Sequence, residues 1–122
     1  FATTTPVAFD PEGWQNTLVK YASKNPKAML LTHYSRVTEL DRLFPLLRQS
    51  LQEMVDIALS EEANPEGRLA RIQEKIAQNL VASAQAHGVS FSEEKIRELL
   101  ALDIDLNGQG LEVWLQRRAK AA

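Results

Sequence analysis

Apolar residues recur along most of this chain at the three- and four-residue steps of amphipathic helices, with one short exception. Trp14, Leu18 and Tyr21 form a first stripe, opened by Asp10-Pro11-Glu12 and closed by Asn25-Pro26. An N-cap carboxylate, a proline at the first helical position and an acid in the first turn make a strong start signal. The residue before a proline avoids the α region, which ends the helix. The exception follows at once: Ala28-Met29-Leu30-Leu31-Thr32-His33-Tyr34-Ser35 is an apolar run without helical period, and it reads as a single buried strand. From Leu40 the seam Leu40, Phe44, Leu47, Leu51, Met54, Ala58 alternates steps of four and three, the spacing of one helix face. Pro45 lies inside it, and an interior proline predicts a kink or a short first helix ending near Arg42.

Asn64-Pro65-Glu66 repeats the start signal, so the next helix is expected over 65–86, carrying Leu69, Ile72, Ile76 and Leu80 and stopping at His87-Gly88. Ser92 is a candidate N-cap, with Phe91 and Ile96 placed as a hydrophobic staple, for a helix reaching about Leu102. A last helix, about Leu106 to Ala119, carries Leu111, Trp114 and Leu115, with Arg117, Arg118 and Lys120 complementing its C-terminal dipole. Residues 1–9, rich in threonine around Pro6, predict a loose extended or edge segment. The pattern therefore predicts a mainly α protein of four to five helices with one short strand near the N-terminus.

A buried strand needs neighbours on both sides for its N–H and C=O groups, and no second run of comparable quality is present. The chain also opens on Phe1 rather than Met. Both features predict a piece of a larger protein.

Composition narrows the function. A net charge of −2 with interspersed signs gives no basic stripe for nucleic acid. No apolar run is long enough to span a bilayer. The absence of cysteine removes disulfides and thiolate metal sites and fits a cytoplasmic protein best.

Three groups of residues carry candidate chemistry. His33 follows the end of the apolar strand, where layered α/β proteins place ligands; a lone histidine there is more often structural. His87, at a predicted helix end, reads as a cap. Asp103-Ile104-Asp105-Leu106-Asn107-Gly108 matches the first six positions of a calcium-binding loop, but position twelve is Trp114 instead of a bidentate glutamate. Its plainer reading is the first turn of a helix with Asp105 as cap. Glu61-Glu62 and Glu93-Glu94 read as solvated helix-end acids, and no serine or cysteine nucleophile stands beside a recognisable base.

Ala2-Thr3-Thr4-Thr5-Pro6-Val7, Phe9-Asp10-Pro11-Glu12 and Met29-Leu30-Leu31-Thr32-His33-Tyr34 resemble the late part of the metallo-β-lactamase-fold hydrolase superfamily. Residues 36–118, closing on Gly110-Leu111-Glu112-Val113-Trp114-Leu115, resemble the helical C-terminal extension of a bacterial subset of it. The resemblance covers almost the whole chain. It implies that 1–35 is the tail end of an α/β catalytic domain and 36–122 a C-terminal helical domain. His33 matches the final ligand of a two-metal site, usually zinc and sometimes iron or manganese. The remaining ligands come mostly from a His-x-His-x-Asp-His motif, which this chain lacks. Two metals about 3.5–4 Å apart need a cage from several strand ends, so the 122 residues alone are expected to bind no metal tightly and to hydrolyse nothing. The implied partner is the N-terminal catalytic portion of the same protein. Association between copies through exposed apolar surface is also expected, and a stand-alone helical interaction or dimerisation module is the alternative.

Overall fold

The computed structural model describes residues 1–6 and 8–121 and is mainly helical. Five helices and one two-stranded sheet follow in the order α1 (Pro11–Ser23), β1 (Met29–Leu31), β2 (Ser35–Val37), α2 (Leu40–Ser60), α3 (Arg68–Ala86), α4 (Glu93–Leu99) and α5 (Ala101–Ala121). The core joins Leu51, Met54 and Ala58 of α2 to Ile72, Ile76 and Leu80 of α3 and to Leu111 and Leu115 of α5. Burying each large aliphatic side chain here contributes about 1.5–3 kcal/mol before the entropy of ordering it. The predicted seam of α2 is therefore core along its second half.

Where cap chemistry is local, the elements start and stop as expected. Asp10 Oδ1 accepts from the Gly13 N–H at 3.0 Å, with Pro11 opening α1. Ser92 Oγ accepts from the Lys95 N–H at 3.2 Å. The predicted staple is half made, since Ile96 is buried while Phe91 stays exposed. Gly88 follows α3 at φ +85°, a left-handed C′ position that glycine takes without a Cβ penalty.

Other elements differ from expectation. The run 28–35 is not one buried strand: β1 pairs antiparallel with β2 in the register Met29↔Val37, Leu30↔Arg36, Leu31↔Ser35. Ser35-Arg36-Val37 supplies the neighbour that the sequence pattern did not reveal, and Leu30 on this two-stranded ribbon is left 80% exposed by the described residues. α2 runs through Pro45 without ending near Arg42. The proline sits in the second turn and removes a single backbone bond, while burial along the seam holds the helix.

α3 begins at Arg68, not at Pro65, with Gly67 at φ +64° as its N-cap residue. Asn64-Pro65-Glu66 is a turn whose carbonyls are taken by a later side chain. Arg71 donates through Nη2 to Asn64 O at 2.7 Å and through Nη1 to Glu66 O at 2.8 Å. The stretch 103–108 is helix interior, because only Leu100 separates α4 from α5 and the Ile104 N–H already bonds Leu100 O at 2.9 Å.

The N-terminal segment is not loose. Ala2, Thr4 and Phe9 are buried. The Ala2 N–H donates to Ser50 Oγ at 2.9 Å, and Phe9 meets Trp114 edge-on with centroids 5.7 Å apart. Extended residues with nothing to pair locally are fixed here by helices far along the chain.

Candidate functional site

His33 sits in the turn Thr32-His33-Tyr34 between β1 and β2, two residues beyond the end of β1, and is exposed. The turn closes on Ser35, whose φ of +93° is uncommon for a residue with a Cβ. Among the described residues no group of three or more His, Cys, Asp or Glu side chains is placed to hold a metal ion. Any metal at His33 must take its other ligands from outside these residues. The structure does not bring the two histidines together in one cavity. His87 lies at the end of α3, its ring Nδ1 2.9 Å from Ser83 O, and caps the helix as expected.

Beside the hairpin runs an open groove of about 1240 Å³. Its walls are Trp14, Leu18 and Tyr21 of α1, Met29 and Leu31 of β1, Tyr34 of the turn, Leu40, Leu43, Phe44 and Leu47 of α2, and the last turns of α3 as far as His87. Leu40, Phe44 and Leu47, the first half of the α2 seam, thus line this groove, and Leu47 also packs against the closed core. The amphipathic spacing made the seam visible but could not show that its first half borders an open groove.

The groove has polar edges. Glu53 accepts from Gln49 Nε2 at 2.8 Å and from Asn79 Nδ2 at 3.0 Å. At the other edge Arg42 Nη2 donates to Glu39 Oε2 at 2.9 Å, and that hydrogen bond holds the Glu39 carboxyl below its ordinary range. Amide and guanidinium donors satisfy these acids. The arrangement suits an apolar partner surface with a polar rim better than acid–base chemistry.

The calcium-loop pattern is not a cage. In α5, Asp105 accepts from Gln73 Nε2 at 2.8 Å and from Gln109 Nε2 at 3.0 Å, so both its oxygens are engaged within and between helices. Asp105 is not a cap either. Asn107 turns to the N-terminal segment: its Oδ1 accepts from the Thr4 N–H at 2.7 Å, and its backbone O accepts from Thr4 Oγ1 at 2.9 Å. One turn on, a Cβ at Gly110 would overlap the Thr4 carbonyl oxygen. A pair of glycines inside a helical pattern was the available sign of close backbone approach.

The helix-end acids were also misread in part. Glu61 is buried at the end of α2, held by Lys75 Nζ and by Arg71 Nε. Those hydrogen bonds, that from Lys75 the larger, lower its carboxyl pKa. A carboxylate at a helix C-terminus opposes the dipole, and the two cations of α3 offset it. Glu62 is exposed and takes a hydrogen bond from Arg118 Nε at 3.0 Å. Arg97 ties α4 to α3 through two bonds to Glu74 at 3.0 Å each, and reaches Glu93 at 2.8 Å.

No helix among the described residues is long and apolar enough to cross a membrane. No protein-family model matches the chain, and comparison with curated proteins and with solved structures gives no significant match.

Proposed function

We propose that this chain is the C-terminal part of a bacterial, cytoplasmic metal-dependent hydrolase of the metallo-β-lactamase superfamily, without activity on its own. Residues 1–35 complete the catalytic domain, and residues 36–122 are its helical extension. The observation that carries the reading is the uneven covering of apolar surface. Leu51, Ile72, Ile76 and Leu111 are fully enclosed, while Leu30, Leu31 and Tyr34 around His33 stand 80%, 43% and 76% exposed. A contiguous apolar patch of this kind marks an interaction surface, and here it surrounds the residue that resembles a metal ligand. In this reading the preceding catalytic portion covers the hairpin and the groove and supplies the other ligands of a two-metal site, zinc by preference. When bound, the metals would activate a water for hydrolysis; this chain contributes one imidazole. The test is His33→Ala in the full-length parent protein. Loss of bound metal and of hydrolysis is expected, and unchanged metal content and rate would overturn the assignment.

The same exposed hairpin favours a second reading, a helical module that associates through this face. It predicts a mass that rises with concentration for the isolated chain, and a strict monomer counts against it.

A further inference from the structure

Two positions inside α5, Asn107 and Gly110, do more than pack against neighbouring helices. Asn107 is 1% exposed, and its Nδ2 has no hydrogen-bond partner among the described residues. A buried amide with an idle donor is a liability in a helix that only packs. Gly110 is likewise a weak helix former. Gly110 and the two oxygens of Asn107 become intelligible when residues 2–5 are considered, with Nδ2 still unpartnered among the described residues. Gly110 leaves the space in which the Thr4 carbonyl lies against the helix, and Asn107 receives both donors of Thr4, its N–H and its hydroxyl. The alternation of the segment fits the arrangement, since Ala2 and Thr4 are buried while Thr3 and Thr5 are exposed. Ser50 on α2 fixes the Ala2 N–H, and Trp114 receives the edge contact from Phe9.

We propose that Asn107 and Gly110 of α5 form a clasp for a peptide segment, occupied by residues 2–5 of the same chain, with Phe9 anchored beside it on Trp114. The clasp joins the helical part to the part before it, independently of the covalent connection through Thr38 and Glu39. Its ligand chemistry is a small residue, a β-branched hydroxyl two positions on and an aromatic five further. Main-chain and hydroxyl hydrogen bonds supply the register, as in other extended-peptide sites.

The inference is independent of metal chemistry and can be tested without it. A protease recognition sequence replaces Thr38-Glu39 in the full chain, the connection is cut, and native mass spectrometry records whether the two pieces stay together. The cut wild-type chain is expected to remain one complex. Thr4→Val and Asn107→Ala should each weaken it about tenfold, the loss of one buried hydrogen bond. Their combination should cost less than the product of the two, because the two bonds they remove share the Thr4–Asn107 pair and are coupled. Gly110→Ala should separate the pieces while the helical piece keeps its far-ultraviolet circular dichroism. If Gly110→Ala instead unfolds the chain, Thr4→Val and Asn107→Ala still decide the matter, since Thr4 lies outside the helices and Asn107→Ala adds no atoms. Separation of the cut wild-type pieces, or wild-type affinity in both Thr4→Val and Asn107→Ala, would overturn the clasp.

Discussion

Arg68 of α3 and Glu112 of α5 meet as a two-pronged ion pair, Nε to Oε2 at 2.7 Å and Nη2 to Oε1 at 2.8 Å, with the Arg68 side chain only 8% exposed. Planar guanidinium and carboxylate match in this geometry, so the pair fixes the register of α3 on α5 as well as neutralising both charges. Removing one partner strands the other. Glu112→Gln should therefore cost about 2–3 kcal/mol in urea unfolding. Arg68→Met combined with Glu112→Leu should recover most of that, because an apolar pair of similar size leaves no buried charge. A single-variant loss near zero would show that the pair is solvated in solution.

Acid should unfold this protein through a small set of carboxylates. Hydrogen bonds from Arg68 hold the Glu112 carboxyl below its ordinary value of 4.5, and those from Lys75 and Arg71 do the same for Glu61. Arg97 does so for Glu74. A depressed folded-state pKa means that the stability is fully present above the unfolded value and is lost as pH falls through the lower folded values. The melting temperature is expected to be flat from neutral pH down to about 4.5 and to fall below it. In Glu112→Gln the fall should be shallower, so that the two curves converge in acid. Parallel curves would remove Glu112 from the account.

Pro45→Ala should stabilise the chain. α2 passes through this position, so the alanine restores a backbone donor and removes the ring from the preceding turn, a gain of about 1–2 kcal/mol so near the helix start. Guanidinium-chloride midpoints compare the two proteins directly. A loss of stability would mean that the surrounding groove requires the proline's shape.

Polar replacement on the hairpin should leave folding alone and change association. Leu30 and Tyr34 are 80% and 76% exposed, and substitutions at such sites move stability by less than about 0.5 kcal/mol. Leu30→Thr with Tyr34→Asn is expected to hold the chain monomeric in sedimentation experiments under conditions where the wild type gains mass. Equal masses for both at every concentration would place any association elsewhere.

The sequence disclosed what local chemistry decides. Asp10 and Ser92 were legible as caps because a short side chain reaches its own helix, and Gly88 because only a left-handed residue fits that C′ position. Asn64-Pro65 misled because its turn is completed by Arg71, from the helix that follows. The acids at 103 and 105 imitated a loop, yet Leu100, Ile104, Leu111 and Leu115 carry a helical period beneath them. β1 was legible as a strand, but burial depends on what lies over it, and no pattern within the chain encodes that. His33 does lie just past the end of β1, a position the apolar run made legible. Thr4, Asn107 and Gly110 were missed because their meaning exists only when the two ends of the chain meet.

That meeting has a consequence for the order in which the protein folds. Thr4 and Asn107 are 103 positions apart, so α1, the hairpin and α2 to α4 all lie between the two partners. Closing so large a loop costs little more than closing a moderate one, since the entropy grows only with the logarithm of length. Such non-local encounters nevertheless come late, after neighbouring helices have paired. The segment around Thr4 is therefore expected to dock after the helices have paired and to be released early when the native state opens part-way. The Thr4 amide is accordingly expected to exchange its hydrogen through that partial opening, sooner than the amides of Ile72 and Ile76 in the centre of α3.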